Sequence, residues 1–458
     1  MKKFLLFAAL SLMAFANSYA VTDGQTYEAV NGIKIANQWI FDRVHTSDAF
    51  GSSEIANSRA RTAVMSKGVI YVAHSEAKTT IIGTDTTAQA VIYRFNANTG
   101  EKLPTLDVTL DGKPYGAFLG VNSIGIDNFG HVWVAPYTSE KTAELPIYQL
   151  NIETGELTLV TTLTKAIIAR TDYYDVMGDI TRVEAECNIM SAASQAATIY
   201  RWHADMGSDV FDGGFEGDNS IDITAFYPET VTQWSYAPIV KMVLGSDDET
   251  KYAGELFYID GFNSVPALYD ATGSLVDSFE AVPKELFPET GTNGVAEFSL
   301  EGKSFMTYSI AQYAGVGHGC QANIVELGEG PSLTGMTKYW QIPADSLGHT
   351  SDGGNRVHVL NVEYGQEKGS DVVTLFTYKC QNGMGVYKIG KNVGGDTPTP
   401  LTGDVNKDGI VNVSDVTELI NMILGSATPD AAVGDLNGDG TINVSDVTEL
   451  INIILASA

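Results

Sequence analysis

Between residues 36 and 392 the hydrophobic positions come in short runs rich in β-branched and aromatic residues, separated by glycine or polar turns. Lys67–Ala73, Gly130–Ala135, Glu255–Asp260, Lys303–Tyr308 and Val372–Thr377 form one set, which recurs every 55–65 residues where it is clear. A second set carries Ile-Tyr or a relative: Val91–Arg94, Pro146–Gln149, Thr198–Arg201 and Gly385–Lys388. Two of its members run into Asn98-Thr-Gly-Glu101 and Glu153-Thr-Gly-Glu156, turns whose glycine suits a hairpin. Runs of this kind are strands. About four strands per unit at such a period predict the blades of a β-propeller. Roughly six units fit the span, whereas a β-sandwich array or a right-handed β-helix would repeat at shorter intervals. Asn37–Asp42 is a strand placed to close the ring against the last blade.

Beyond residue 400 the period changes. Val416, Leu419, Ile420, Ile423 and Leu424 follow i, i+3, i+4, i+7, i+8 spacing, and Val447, Leu450, Ile451, Ile454 and Leu455 repeat it. Two short amphipathic helices with their stripes packed together are expected. Each follows a segment of the other's likeness, Asp404–Asp415 and Asp435–Asp446, and Asn412–Asn421 recurs identically as Asn443–Asn452. An internal duplication explains the match.

Both segments have the spacing of a twelve-residue calcium loop. Position 1 is Asp404 or Asp435, position 3 Asn406 or Asn437, and position 5 Asp408 or Asp439. Gly409 and Gly440 at position 6 permit the sharp turn. Ile410 and Thr441 at position 7 offer a carbonyl, Asn412 and Asn443 stand at position 9, and Asp415 and Asp446 close the sites at position 12. Three carboxylates and two amides per loop are hard oxygen donors that suit Ca²⁺, two ions in all, at micromolar affinity or tighter. The helices would be marginal alone, so metal binding supplies much of their folding free energy.

This pair resembles the type I dockerin domain over residues 403–458. Position 12 is Asp rather than the usual EF-hand Glu, and a Pro/Thr/Gly stretch stands where an entering helix would be. The resemblance implies docking to a cohesin-type scaffold partner. It also implies that Val413 and Ser414, with Val444 and Ser445, help choose that partner, in place of the Ser-Thr pair common in clostridial members. Their identity in both repeats suggests a pseudo-twofold surface that docks in two orientations.

The expected organisation has four parts. Residues 1–20 read as a signal peptide, with Lys2 and Lys3 ahead of an apolar run and Ser18-Tyr19-Ala20 before the cut. Residues 21–389 form the propeller, 390–402 a linker of Gly and Pro-Thr-Pro, and 403–458 the all-α calcium module. The fold class is mainly β. A net charge of −29 excludes nucleic acid and anionic membranes as partners and suits an exported protein. No segment after the apolar leader is long and apolar enough to cross a membrane. Cys187, Cys320 and Cys380 are widely spaced and odd in number, which favours small buried hydrophobes.

Catalytic signatures fail. Glu301-Gly-Lys-Ser304 resembles the end of a phosphate loop, but Glu297 stands where its first glycine belongs. His318 beside Cys320 has no orienting residue. One pattern remains. Four of the eight arginines, Arg59, Arg61, Arg182 and Arg356, fall in segments assigned to first strands of blades. Glu184, Glu186 and His358 alternate with them, which puts such groups on one strand face. Converging in the central channel, they would hold an acidic or polyhydroxylated ligand, or line it as structural ion pairs. The dockerin resemblance implies an extracellular complex that handles polysaccharides, so the expectation is a secreted, dockerin-bearing propeller that binds carbohydrate in polysaccharide breakdown. A glycoside hydrolase or lyase, or an adhesion protein with a calcium-stabilised tail, are the alternatives.

Overall fold

The computed structural model describes residues 26–30, 32–82, 85–116, 119–139, 141–165, 168–194, 198–212, 220–222, 238–246, 251–261, 266–278, 292–310, 320–328, 332–343, 346–348, 358–364, 371–391, 393, 403, 405–406, 411, 413–427 and 429–456. The leader and most of the linker lie outside them. Strands β1 (Thr26–Val30) and β2 (Ile33–Asp42) and a short helix α1 (Ser47–Gly51) come first. Blade 1 follows as β3 (Ala60–Ser66), β4 (Val69–Ile82), β5 (Asp85–Asn96) and β6 (Lys102–Asp107). Blade 2 has a small outer ribbon, β7 (Thr109–Leu110) and β8 (Lys113–Pro114), then β9 (Ser123–Ile126), β10 (Val132–Ala135), β11 (Glu144–Leu150) and β12 (Glu156–Thr164). Blade 3 is β13 (Thr171–Gly178), β14 (Cys187–Ala193), β15 (Thr198–Ala204) and β16 (Ser220–Asp222). Blade 4 is β17 (Ile239–Val243), β18 (Leu256–Asp260), β19 (Ala267–Asp270) and β20 (Leu275–Ser278). Blade 5 is β21 (Thr292–Leu300), β22 (Lys303–Ile310), β23 (Gln321–Gly328) and β24 (Ser332–Ile342). Blade 6 is β25 (His358–Tyr364), β26 (Val372–Lys379) and β27 (Gly383–Gly390), completed on its outer side by β2 and β1.

The ring is closed. Neighbouring inner strands meet in the cyclic order β3, β9, β13, β17, β21, β25 and back to β3. Six apolar clusters fill the six interfaces between blades, from Val64, Ile92 and Val134 between blades 1 and 2 to Trp39, Phe41, Phe376 and Met384 between blades 6 and 1. Antiparallel pairing of β2 with β27, Ile35 opposite Ile389 and Phe41 opposite Met384, ties the chain's beginning to its last blade. Sheets stacked on both sides bury both faces of a central strand. That is why β10, β14 and β26 read as nearly unbroken apolar runs rather than alternations.

Local chemistry sets the turns. Lys67-Gly68, Asp111-Gly112 and Glu301-Gly302 all have positive φ at both positions, the backbone of a two-residue hairpin that matches strand twist. The phosphate-loop look of Glu301-Gly-Lys-Ser304 is therefore a hairpin tip. In the two Thr-Gly turns, Asn96 and Asn151 accept equivalent bonds, from Asn98 and Thr99 N–H in one and Glu153 and Thr154 N–H in the other. The three cysteines are free and buried, and burial pushes the Cys320 thiol up to about 11. No helix among the described residues is long and apolar enough to cross a membrane.

The C-terminal module contains α2 (Val413–Leu424), the short α3 (Ala431–Gly434) and α4 (Val444–Ala456). Leu419, Met422 and Leu450 form its core with Val405 and Val433. The expected stripe is only half right. Val416 and Ile423, with Val447 and Ile454, pack against this core, but Ile420, Leu424, Ile451 and Leu455 face outward.

Candidate functional site

The second calcium loop lies wholly within the described residues. Asp435 Oδ2 accepts the Gly440 N–H at 2.9 Å, bending the loop back on its first residue. Gly440 has φ +85° with open space around it, so its backbone conformation and not crowding requires glycine. Asp439 Oδ1 accepts Thr441 N–H (2.9 Å) and its hydroxyl (2.7 Å). Asp446 is fully buried; Oδ1 accepts Leu436 and Asn437 N–H at 2.9 and 3.1 Å, and Oδ2 accepts Asn443 N–H at 2.8 Å. In the first loop Asp415 Oδ1 accepts Val405 and Asn406 N–H at 2.8 and 3.1 Å, the same pair of bonds one repeat earlier. Asp404, Asp408, Ile410 and Asn412 lie outside the described residues.

The donor set fits a hard divalent cation. Asp435 Oδ1 is buried and has no hydrogen-bond partner, so one carboxylate oxygen at loop position 1 is left unsatisfied. An ion here would be held by Asp435, Asn437, Asp439, Thr441, Asn443 and Asp446, and its two positive charges would offset most of the three carboxylates crowded into one turn of chain.

Above the loops the two helices present matching apolar groups. Val413 and Val444 are 71% and 69% exposed, Leu424 and Leu455 75% and 70%, and Ile420 and Ile451 are exposed to nearly equal degrees. Ser414 and Ser445 are exposed beside them. Sequence periodicity had placed two of these three pairs in the core. Heptad-like spacing identifies a wide apolar stripe but not which edge of it meets a partner helix.

Among the described residues the expected arginine cluster does not come together. Of the described arginines in that set, Arg61 alone lies on an inner strand, at the start of β3. Arg59 precedes that strand and pairs with Glu76 at 3.5 Å. Arg182, Glu184 and Glu186 occupy the turn between β13 and β14, at the opposite end of the inner strands. Arg182 has φ +57°; its guanidinium donates to the carbonyls of Ser208 (2.8 Å) and Ile180 and lies over the Phe211 ring. Glu186 sits 3.7 Å from His203. These are clasps within blade 3. Arg356 lies outside the described residues, as does the side chain of His358, whose backbone begins β25.

The alternation that suggested a strand at Arg182–Glu186 is produced by Asp179. Its carboxylate accepts Thr181, Val183 and Glu184 N–H at 2.8–2.9 Å, folding the segment into a turn. His131 Nδ1 bridges it (3.2 Å) to Asp127 (2.9 Å). Asp127 in turn accepts Phe129, His131 and Ile180 N–H. Asp127, His131 and Asp179 have the makings of a metal triad, but these bonds occupy their carboxylate oxygens and join two neighbouring turns.

The inner strands hold other polar residues that sequence reasoning missed. Where they start, Arg170 grips Asp172 with two 2.7 Å bonds, and Arg61 lies 3.8 Å from the same carboxylate while donating to Asn122 Oδ1 at 2.9 Å. Where they end, a cavity of about 630 Å³ opens, lined from five blades by Lys67, Asp175, Lys241, Glu297, Phe298 and their neighbours. Lys241 donates to Asp175 Oδ1 at 2.7 Å, and Met242 N–H to Asp175 Oδ2 at 2.8 Å. The Tyr258 hydroxyl donates to Glu297 Oε1. Burial raises the Glu297 carboxyl above its ordinary range, against the pull of that hydroxyl. The available signal was a charged residue flanked by apolar ones inside a strand: Asp175 between Tyr174 and Val176, Lys241 in IVKMV and Glu297 in TNGVAEFSL.

With this geometry in hand the comparisons are informative at one end of the chain. Residues 402–455 match the dockerin type I domain family, so the helical tail is a type I dockerin domain, a calcium-binding module that docks to cohesins. Dockerin-bearing proteins are typically extracellular or at the cell surface. No curated protein sequence matches the chain significantly. Among solved structures, a DUF4623 family protein from Bacteroides eggerthii is 12% identical, with TM-score 0.49 over 74% of this chain and 72% of its own. Saccharomyces cerevisiae Sqt1 is 10% identical, with TM-score 0.37 over 72% and 95%.

Proposed function

We propose that this is a secreted protein whose dockerin tail, loaded with two Ca²⁺, attaches it to a cohesin on a scaffold, and whose propeller binds carbohydrate for polysaccharide breakdown there. Residues 1–20 act as the export signal. The first ion is held by Asp404, Asn406, Asp408, Ile410, Asn412 and Asp415, the second by the corresponding residues of the second loop. The observation that carries docking is the duplicated outward set of Val413, Ile420 and Leu424 and of Val444, Ile451 and Leu455, on helices anchored by equivalent buried aspartates. Either set can meet the cohesin, with Ser414 or Ser445 at its edge.

Carbohydrate binding is favoured over catalysis. The channel offers donors and acceptors above apolar walls, at a volume usual for ligand sites, ~300–1,000 Å³. A hydrolase needs a second carboxylate free to act, and both Asp175 oxygens are engaged.

The test is binding of the full chain to immobilised type I cohesins with calcium or with chelator. Leu424→Asp or Leu455→Asp alone should weaken binding by no more than a few-fold. The double variant should abolish it, as should chelation. Loss of binding in either single variant would reject two-way docking. Silence across the cohesin panel in calcium would reject the docking reading itself.

A further inference from the structure

The channel holds buried polar atoms that the protein leaves unsatisfied. Ser66 lines the 630 Å³ cavity, though its hydroxyl is buried and has no hydrogen-bond partner. A second cavity, of about 100 Å³, lies further along the inner strands, lined by Trp133 and Tyr173, whose polar atoms are likewise buried and unpartnered. Ile126, Asp175 and Lys241 line both cavities, so the Lys241–Asp175 ion pair stands at the neck between them.

The two volumes decide what can enter. The wide end accommodates a small ligand. The narrow end, at about 100 Å³, is several-fold smaller. The channel therefore narrows from its wide mouth, which favours entry of a chain end over passage of a polymer. Chemistry at the wide end suits a neutral polyol. Lys241 keeps two ammonium hydrogens beyond its bond to Asp175, and Glu297 keeps one carboxyl oxygen beyond its bond with Tyr258. Ser304 supplies a hydroxyl, and Met177 and Phe298 supply apolar surface for sugar C–H faces.

We propose that the wide end of the propeller channel recognises the terminal units of a neutral oligosaccharide, inserted end-on until the last ring meets Lys241 and Glu297. This deepens, and rests on, the carbohydrate reading above. It makes the protein a reader of chain ends, which accumulate where a polysaccharide is being cut, rather than of intact chains.

The experiment is isothermal titration of the full chain in calcium with cello-, xylo- and mannohexaose, each against its parent polymer before and after partial enzymatic cutting. Affinity per sugar unit should rise about tenfold or more on cutting for one of the three. Lys241→Met and Glu297→Gln should each weaken hexaose binding by roughly tenfold, as expected for a bond to a charged or strongly polar group. Lys67→Met, at the exposed rim, guards against variants that fail to fold and should weaken binding by a few-fold with an unchanged melting temperature. Equal affinity for cut and uncut polymer, or wild-type binding by all three variants, would overturn end recognition while leaving carbohydrate binding intact. No binding to any of the saccharides would overturn both.

Discussion

At the scale of single residues, the propeller contains one histidine placed against its own chemistry. His74 is 4% exposed, and neither ring nitrogen has a hydrogen-bond partner. Burial lowers its pKa from 6.5 to about 4, with Glu54 pulling it back up and Arg59 pushing it further down. The unfolded chain therefore takes up this proton as pH falls through 6.5, while the folded protein refuses it until about 4. Stability is full above pH 6.5 and declines across that window, by about 3 kcal/mol for this group alone. His74→Phe keeps the ring, its contact with Tyr93 and the volume while removing the proton. Urea denaturation at pH 7, 5.5 and 4.5 should show the variant losing less stability than wild type on acidification. Parallel losses in the two proteins would mean that His74 is solvated or paired in solution.

At the scale of elements, turns built around one carboxylate do much to fix the inner ends of the blades. Asp179→Ala would strand the N–H groups of Thr181, Val183 and Glu184 and free His131 from half its clasp. A loss of roughly 2–4 kcal/mol is expected, read as a lower denaturation midpoint with an unchanged slope. Asp179→Asn should recover part of it, because an amide oxygen still accepts. These turns also mark where the sequence stopped being legible. Second and third strands of the blades announced themselves, since burial on both faces demands runs such as Val132–Ala135 and Thr198–Trp202. First strands did not, because they face a channel. Their polar residues, Asp175, Lys241 and Glu297, interrupt apolar runs in the way a loop would. Alternating charge points instead to Arg182–Glu186, where the Asp179 side chain folds the backbone into a turn. In the tail, the dockerin pattern was readable because each position in such a loop has a separate geometric duty. The outward edge of each helix was not, because periodicity carries no information about what a face meets.

At the scale of the whole molecule, two unlike parts draw their stability from different sources. The propeller rests on six apolar interfaces closed by the β2–β27 pairing, and among the described residues none of them includes a residue of the loops. The tail has a small core around Leu419, Met422 and Leu450, and Asp435, Asp439 and Asp446 repel one another within a single loop. Without cations that repulsion opposes folding; an ion bound as proposed would offset most of it and cross-link the loop, so that ion binding would become folding free energy. Chelation should therefore melt α2 and α4 and leave the β signal in place. In calorimetry, wild type in calcium should show a tail transition that moves down sharply with EDTA while the propeller transition shifts little. Asp446→Ala should lower the tail transition even in calcium, since it removes both a proposed ligand and the acceptor for three loop N–H groups. Titration of calcium into chelated protein should register two ions in wild type and one in that variant. A single cooperative transition, insensitive to EDTA, would show instead that the tail folds on its apolar core and that the loops merely decorate it.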